Sequence, residues 1–261
     1  MREVNVPASG MLLHLPGWGI KVYPEGAPPA GGFSPSDIAG LIAWYKADAI
    51  IGLSDGDPVA NWPDSSLHGY DASQGESDFQ PSYKAGILNG KPVVRFDGID
   101  DHLIAGAIAG LSGQITVFLV RKQSSVVGYP VPWMFHVGDT SYLHLHVPYE
   151  TTSSFWSRRT AVRTNPQVDA VSFYLLDWIE DGSQAILSKN ANPQATYTGG
   201  NPPALNQANL ILTLGAYRAA EGFYAGFIAG DVAELIIYDS ALSGDDPANV
   251  RAYLNSKYAI Y

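Results

Sequence analysis

An all-β sandwich built as one main domain is the fold this sequence predicts, and three observations carry the prediction. Only 15% of the 261 residues are charged, while 27 Gly, 18 Pro and 15 Tyr supply turns and strand-type aromatics rather than long helices. From residue 38 onward, strand-patterned segments recur at short spacing, each closed by turn residues. A single helix is readable, near the C-terminal end. Hydrophobic residues make up 46% of the chain, enough for one large core at this length.

Residues 1–33 stand apart from the rest. They are apolar but broken at Pro7, Gly10, Pro16 and Gly17, which predicts an extended arm and linker. Leu12, Leu13, Leu15, Trp18, Ile20 and Tyr23 are too many apolar side chains to leave in water. The arm either folds back on its own sandwich or docks on another subunit or scaffold by strand addition. A classical secretory leader is not expected from this start. No apolar run reaches the roughly eighteen residues that a membrane span requires.

The domain proper is expected over residues 34–261. Its first strand signal is LIAWYKA (41–47), followed by a loop, DGDPVANWPDSSLHG (55–69). In VVRFDGIDDHL (93–103), Val94 and Phe96 alternate with Arg95 and Asp97 at the strand period of two. Gly98 then opens a turn carrying Asp100 and Asp101. ITVFLVRK (115–122) is apolar on both faces, the mark of a central strand covered on both sides. PWMFHV (132–137) and SYLHLHV (141–147) come next. AVSFYLLDWIE (170–180) and SQAILSK (183–189) are joined by Asp181 and Gly182, a pair suited to a tight hairpin turn. NLILTLGAY (209–217) and GDVAELIIYDSAL (230–242) complete the strands. For the helix, Ser243 or Asp245 can cap, Pro247 suits the first turn, and Val250, Tyr253, Leu254 and Tyr258 recur at helical spacing.

Charge and composition exclude several functions. A net charge of −10 repels phosphate backbones, so nucleic acid is not an expected partner. The basic cluster Arg158, Arg159 and Arg163 is short, and reads as a solvated loop or a small anion site. With no cysteine, disulfides, thiolate catalysis and cysteine-zinc sites are all ruled out.

Several segments, in order, resemble the laminin G-like family. Gly40-Leu41-Ile42-Ala43-Trp44-Tyr45 resembles its opening strand, and Trp62-Pro63-Asp64-Ser65-Ser66 with Gly69 resembles its trp-x-asp-x-ser-gly-x-gly loop, the second serine standing where glycine is usual. Gln80-Pro81-Ser82-Tyr83 and Asn89-Gly90-Lys91-Pro92-Val93-Val94-Arg95-Phe96-Asp97-Gly98 resemble the next loop and strand. Residues 230–238, Ala241-Leu242-Ser243 and Tyr253-Leu254 with Lys257-Tyr258 resemble its closing strand and helix.

The resemblance implies a two-sheet antiparallel jelly roll of the concanavalin A-like lectin and glucanase type, used as a glycan- or protein-binding module, sometimes with calcium at the rim. It also implies two settings, secreted multidomain proteins and bacteriophage tail, fibre or decoration proteins. The expectation is a non-enzymatic virion structural protein that attaches to cell-surface glycans. Its arm would engage virion proteins, and it would form a homo-oligomer. An extracellular or cell-surface location is the alternative to the virion. A purely structural decoration or tail-associated protein and a polysaccharide hydrolase are the competing functions.

Three constellations carry chemistry. In SYLHLHV, Tyr142, His144 and His146 are expected on one sheet face and the leucines in the core, with Tyr149, Phe155 and Trp156 extending the region through a loop. Aromatic rings stack on sugar C–H faces and imidazoles meet hydroxyls, so this set suits a glycan. Two imidazoles about 7 Å apart would need a third ligand to hold a metal, and none is signalled nearby. Asp97, Asp100 and Asp101 form one candidate calcium group, and Asp55, Asp57 and Asp64 another; turn chemistry explains both equally without metal. No cofactor is required by either reading. A retaining glycosidase needs carboxyl groups about 5–5.5 Å apart. Asp177 and Asp181 lie about 13 Å apart on a regular strand, and Glu180 faces the other way.

Overall fold

The computed structural model describes residues 32–109, 111, 113–124, 130–137, 140–149, 154–157, 172–198, 209–220 and 222–261. The arm residues Leu12, Leu13, Leu15, Trp18, Ile20 and Tyr23, and the basic cluster Arg158, Arg159 and Arg163, lie outside them. Seventeen strands and one α-helix are described. In chain order they are β1 (Leu41–Lys46), β2 (Asn61–Trp62), β3 (Ala72–Ser73), β4 (Ser82–Leu88), β5 (Lys91–Asp97), β6 (Leu103–Ile108), β7 (Ile115–Gln123), β8 (Trp133–Val137), β9 (Thr140–Tyr149) and β10 (Ser154–Ser157). There follow β11 (Tyr174–Glu180), β12 (Gln184–Lys189), β13 (Asn192–Thr198), β14 (Leu210–Leu214), β15 (Tyr217–Ala220), β16 (Phe223–Ala225), β17 (Ala229–Tyr238) and α1 (Asp246–Tyr258).

The strands form a two-sheet antiparallel jelly-roll sandwich. One sheet has eight strands, ordered β13-β12-β11-β7-β17-β5-β4, with β1 also paired to β17. The other runs β10-β9-β8-β14-β6-β3-β2, and β15 and β16 make a separate hairpin. The ten residues of β17 organise the first sheet. One edge pairs with β7, while the other takes β5 along residues 229–232 and β1 along residues 234–238. Gly230 sits in this ladder at φ 151, where a Cβ would run into the Lys122 carbonyl oxygen of β7. Only glycine lets the two backbones approach this closely.

Alternation along the strands sorts side chains into two apolar clusters. Val94, Phe96, Val117, Leu119, Leu176, Trp178, Leu235 and Ile237 of the first sheet meet Leu103, Ala105, Trp133, Phe135, Leu143, Leu212 and Leu214 of the second. On the far side of the first sheet, Trp44, Val93, Phe118, Val120, Leu175, Ile236 and Tyr238 meet Val250, Leu254 and Tyr258 of α1. The central strand expected from ITVFLVRK is therefore β7, buried on both faces because one face looks into the sandwich and the other under the helix. Each such fully buried side chain contributes about 1.5–3 kcal/mol.

The helix matches its sequence signature except at the cap. Asp245 occupies the cap position, but its side chain makes no capping bond, because its backbone is already helical (φ −84, ψ −13). Two basic residues of α1 clamp it to the sandwich. Arg251 meets Asp177 of β11 bidentately, at 3.0 and 2.6 Å. Lys257 meets both Asp48 and the fully buried Glu234 of β17. Phe33, at the end of the expected arm, packs edge-on against Tyr253.

The structure differs from the sequence reading at several elements. β4, β6 and β13 were not expected, and the region after Tyr149, read as a loop, contains β10. The 55–69 loop contributes β2 to the second sheet. Within it, Asp64 is the hub: its carboxylate accepts from the backbone N–H groups of Trp44, Ser66 and Tyr70. The glycine place in the trp-x-asp-x-ser-gly-x-gly pattern belongs to Leu67 rather than Ser66, since Leu67 carries the positive φ of 76 that the turn demands.

Candidate functional site

The face of the second sheet that looks away from the core is built on β8, β9, β10 and β14. In β8, Trp133 and Phe135 enter the core, which leaves Met134 and His136 on the opposite face. Both are buried, and His136 Nε2 lies 2.9 Å from Thr213 Oγ1 of β14. Directly paired residues share a sheet face. His144 pairs with Met134, and His146 pairs with Trp156 of β10. The register thus sets positions 144, 146 and 156 on the Met134 and His136 face.

The ladder is less regular than SYLHLHV implied. Ser141 pairs with His136 and Leu143 with Phe135, so Tyr142 is the extra residue of a β-bulge. A second shift falls between the His146–Trp156 and Tyr149–Ser154 pairs, beside Pro148, which has no N–H to give the ladder. The side chains of Tyr142, His144, His146, Tyr149 and Trp156 lie outside the described residues.

Sequence reasoning missed the aromatic cluster that borders this face. Arg218 N of β15 donates to Met134 Sδ at 3.1 Å, and the Arg218 guanidinium donates to Tyr224 Oη at 3.3 Å. Tyr224 stacks on His102 with ring centres 4.3 Å apart, while Phe79 and Phe227 flank the imidazole. His102 Nδ1 lies 2.8 Å from the Asp100 carbonyl oxygen, which can only accept, so Nδ1 carries the hydrogen and Nε2 accepts from Gln74. Burial lowers the His102 pKa, which favours the neutral ring. The available signal was the His102 position directly after the acidic turn.

That turn brings Asp97, Asp100 and Asp101 together, with one oxygen of each within 4.8 Å of the others. Calcium takes six to eight oxygens at such a site. Their local bonds are those of a turn: Asp97 Oδ1 accepts from the N–H groups of Ile99 and Asp100, and Asp101 Oδ2 accepts from Asp97 N. Gly98 (φ 83) closes the turn against Ala229, 2.6 Å from where a Cβ would sit.

Burial first, then the Asp97 and Asp100 charges, push the Asp101 carboxyl up to about 6. The unfolded carboxyl titrates near 3.9. The folded state therefore binds more protons between those values, and this group stabilises the fold as pH falls from about 7 to about 4. In urea titrations, Asp101→Asn is expected to remove that rise, leaving the variant more stable than the parent above pH 6 and the two closer near pH 4. Calcium that raises the midpoint of the parent but not of the variant would identify a cation site instead.

The second acidic group does not assemble. Asp55 pairs with Lys84 and Ala85 N, Asp57 accepts from Ser54 N, and Asp64 is committed to its own loop. Among the described residues, Asp97, Asp100 and Asp101 are the one group of three that could hold a metal. The carboxylates weighed for glycoside hydrolysis are also separated. Asp177 lies under α1 on Arg251, Glu180 accepts from Trp178 Nε1 inside the sandwich, and Asp181 caps the β11–β12 turn through Ser183 and Gln184.

No family model matches the chain, and no curated protein matches it. Among solved structures, domain 4 of AbnA, a GH43 extracellular arabinanase from Geobacillus stearothermophilus in complex with arabinotriose, superposes with a TM-score of 0.59 at 16% identity. The match covers 81% of this chain and 98% of that one. Trypanosoma rangeli sialidase in complex with sialic acid gives 0.57 at 11% identity, covering 84% of this chain and 33% of that one. The chain thus spans about a third of the sialidase's length. These likenesses are to parts of carbohydrate-active proteins, and they lend no support to the virion setting expected from the sequence. At such identities they show a shared fold: this chain is a two-sheet jelly-roll β-sandwich.

Proposed function

We propose that this chain is a non-enzymatic carbohydrate-binding module whose ligand face is the β8-β9-β10 side of the second sheet. The observation that carries the reading is the strand register, which gathers positions 144, 146 and 156 from two strands onto one face. Two imidazoles and an indole supply stacking and hydrogen bonding to a sugar ring. The arabinanase domain of the same fold, captured with arabinotriose, supports it by analogy of architecture. On a glycan array the intact protein should bind, and His146→Ala and Trp156→Ala should each weaken binding about tenfold, the equivalent of about 1.4 kcal/mol. Binding unchanged in both variants would reject this face, and no binding by the parent would leave a purely structural protein. Reducing-end release from polysaccharides would replace the module with a hydrolase.

The laminin G-like resemblance and the apolar arm extend this reading to a module displayed on a virion, or at a cell surface, as a homo-oligomer held through the arm, residues 1–33. Deleting residues 1–31 of it keeps Phe33 on Tyr253. The product should be a folded monomer by sedimentation, and an unfolded product would make the arm part of the core.

A further inference from the structure

The β4–β5 turn holds the one Asn-Gly dipeptide of the chain, Asn89-Gly90, and this turn touches the end of α1. Asn89 and Gly90 both have positive φ, 48 and 72, as a two-residue hairpin turn requires. Asn89 Nδ2 donates to the Lys257 carbonyl oxygen at 3.2 Å, occupying one of the last carbonyls that a helix leaves without an internal partner. Apart from Leu88, which is partly buried against the helix-side cluster, little else holds the turn. β4 is the edge strand of its sheet, residues 85–87 are exposed, and the ladder is interrupted between Lys84 and Leu88. Leu88–Lys91 is the single pair between that interruption and the turn. Gly90 is exposed, with nothing within 4 Å of where a Cβ would sit. Local opening is therefore inexpensive here.

We propose that Asn89 is a deamidation site, and that its conversion releases the β4–β5 turn from the C-terminal end of α1. After loss of its proton to solvent, the Gly90 amide nitrogen attacks Asn89 Cγ. The new C–N bond closes a succinimide as the Cγ–Nδ2 bond breaks and Nδ2, taking a proton back from solvent, leaves as ammonia. Water opens the ring at either carbonyl, giving aspartate or isoaspartate, and no atom changes oxidation state. The side chain that donated to the Lys257 carbonyl becomes a carboxylate that can only accept. It also faces the negative end of the helix dipole. The contact turns from attractive to repulsive, and isoaspartate further lengthens the backbone of the turn.

The intact folded protein is held at mildly alkaline pH and digested, and its asparagine peptides are followed by mass spectrometry, with the urea-unfolded chain as the upper limit of rate. The Asn89 peptide is expected to gain one mass unit and resolve into aspartate and isoaspartate forms ahead of every other asparagine, Asn255-Ser256 included. An unchanged Asn89 peptide in the folded protein, when the unfolded chain has converted, would overturn the proposal. The release is read separately. Asn89→Asp should have a lower urea midpoint than Asn89→Gly at neutral pH, and the two should converge as pH falls through the carboxylate range. Equal midpoints at every pH would show that conversion leaves the turn and helix as they were.

Discussion

Asp177→Ala is expected to lower the unfolding free energy by about 3–5 kcal/mol, read from urea denaturation, because it strands a largely buried guanidinium. The Arg251 side chain is 20% exposed and its partner carboxylate 0% exposed. Burial of Arg251 works against its charge, and the Asp177 carboxylate more than offsets this, leaving the Arg251 pKa raised. Removing the carboxylate leaves desolvation without compensation. The double variant Asp177→Leu with Arg251→Leu should recover most of the loss, since two apolar side chains on the face that holds the Leu175 and Val250 cluster leave no orphaned charge. A double variant as unstable as Asp177→Ala would show that the pair is not what the site depends on.

Glu234→Ala should cost a similar amount, about 3–5 kcal/mol, through a different route. The Glu234 carboxylate accepts from Trp44 Nε1 at 2.6 Å, Lys257 Nζ at 2.7 Å and Tyr258 Oη at 2.8 Å. It is fully buried on the helix-facing side of β17. Its loss leaves three donors, one of them charged, without their shared acceptor. Glu234→Gln keeps an acceptor oxygen but adds two donors, so a smaller loss is expected. Hydrogen exchange should show α1 opening before the sandwich in Glu234→Ala. If α1 and the strands instead lose protection together, the helix is not a separately held layer.

How much of this was legible in the sequence depends on the range of the contact. β7 announced itself because ITVFLVRK is apolar at five of its first six positions, and α1 because its buried residues fall at helical spacing. The β11–β12 hairpin was legible from Asp181-Gly182, with Gly182 at φ 91. By contrast, β6 reads LIAGAI, too rich in small residues to show alternation, and β13 is a polar edge strand containing Pro193. The Arg251–Asp177 clamp joins residues 74 positions apart and the Trp44–Glu234 bond residues 190 apart, and nothing local marks Asp177 as a partner of α1 or Glu234 as a partner of Trp44.

The candidate ligand face shows the same division. That His144 and His146 share a face followed from period-two alternation, whereas the Trp156 partner and the bulge at Tyr142 arise from the register between strands. The stacking of Tyr224 on His102 joins β16 to the turn before β6, two segments distant in the chain. Asp97, Asp100 and Asp101 were foreseen as a group because a turn of this length brings them together by itself.

The most direct test is the structure of this protein bound to the sugar that it retains on the array. The sugar ring should stack on Trp156 and hydrogen-bond His144 or His146, leaving the Asp97-Asp101 turn untouched. A ligand held at that turn, or on the helix-covered side of the first sheet, would contradict the assignment of the β8-β9-β10 face.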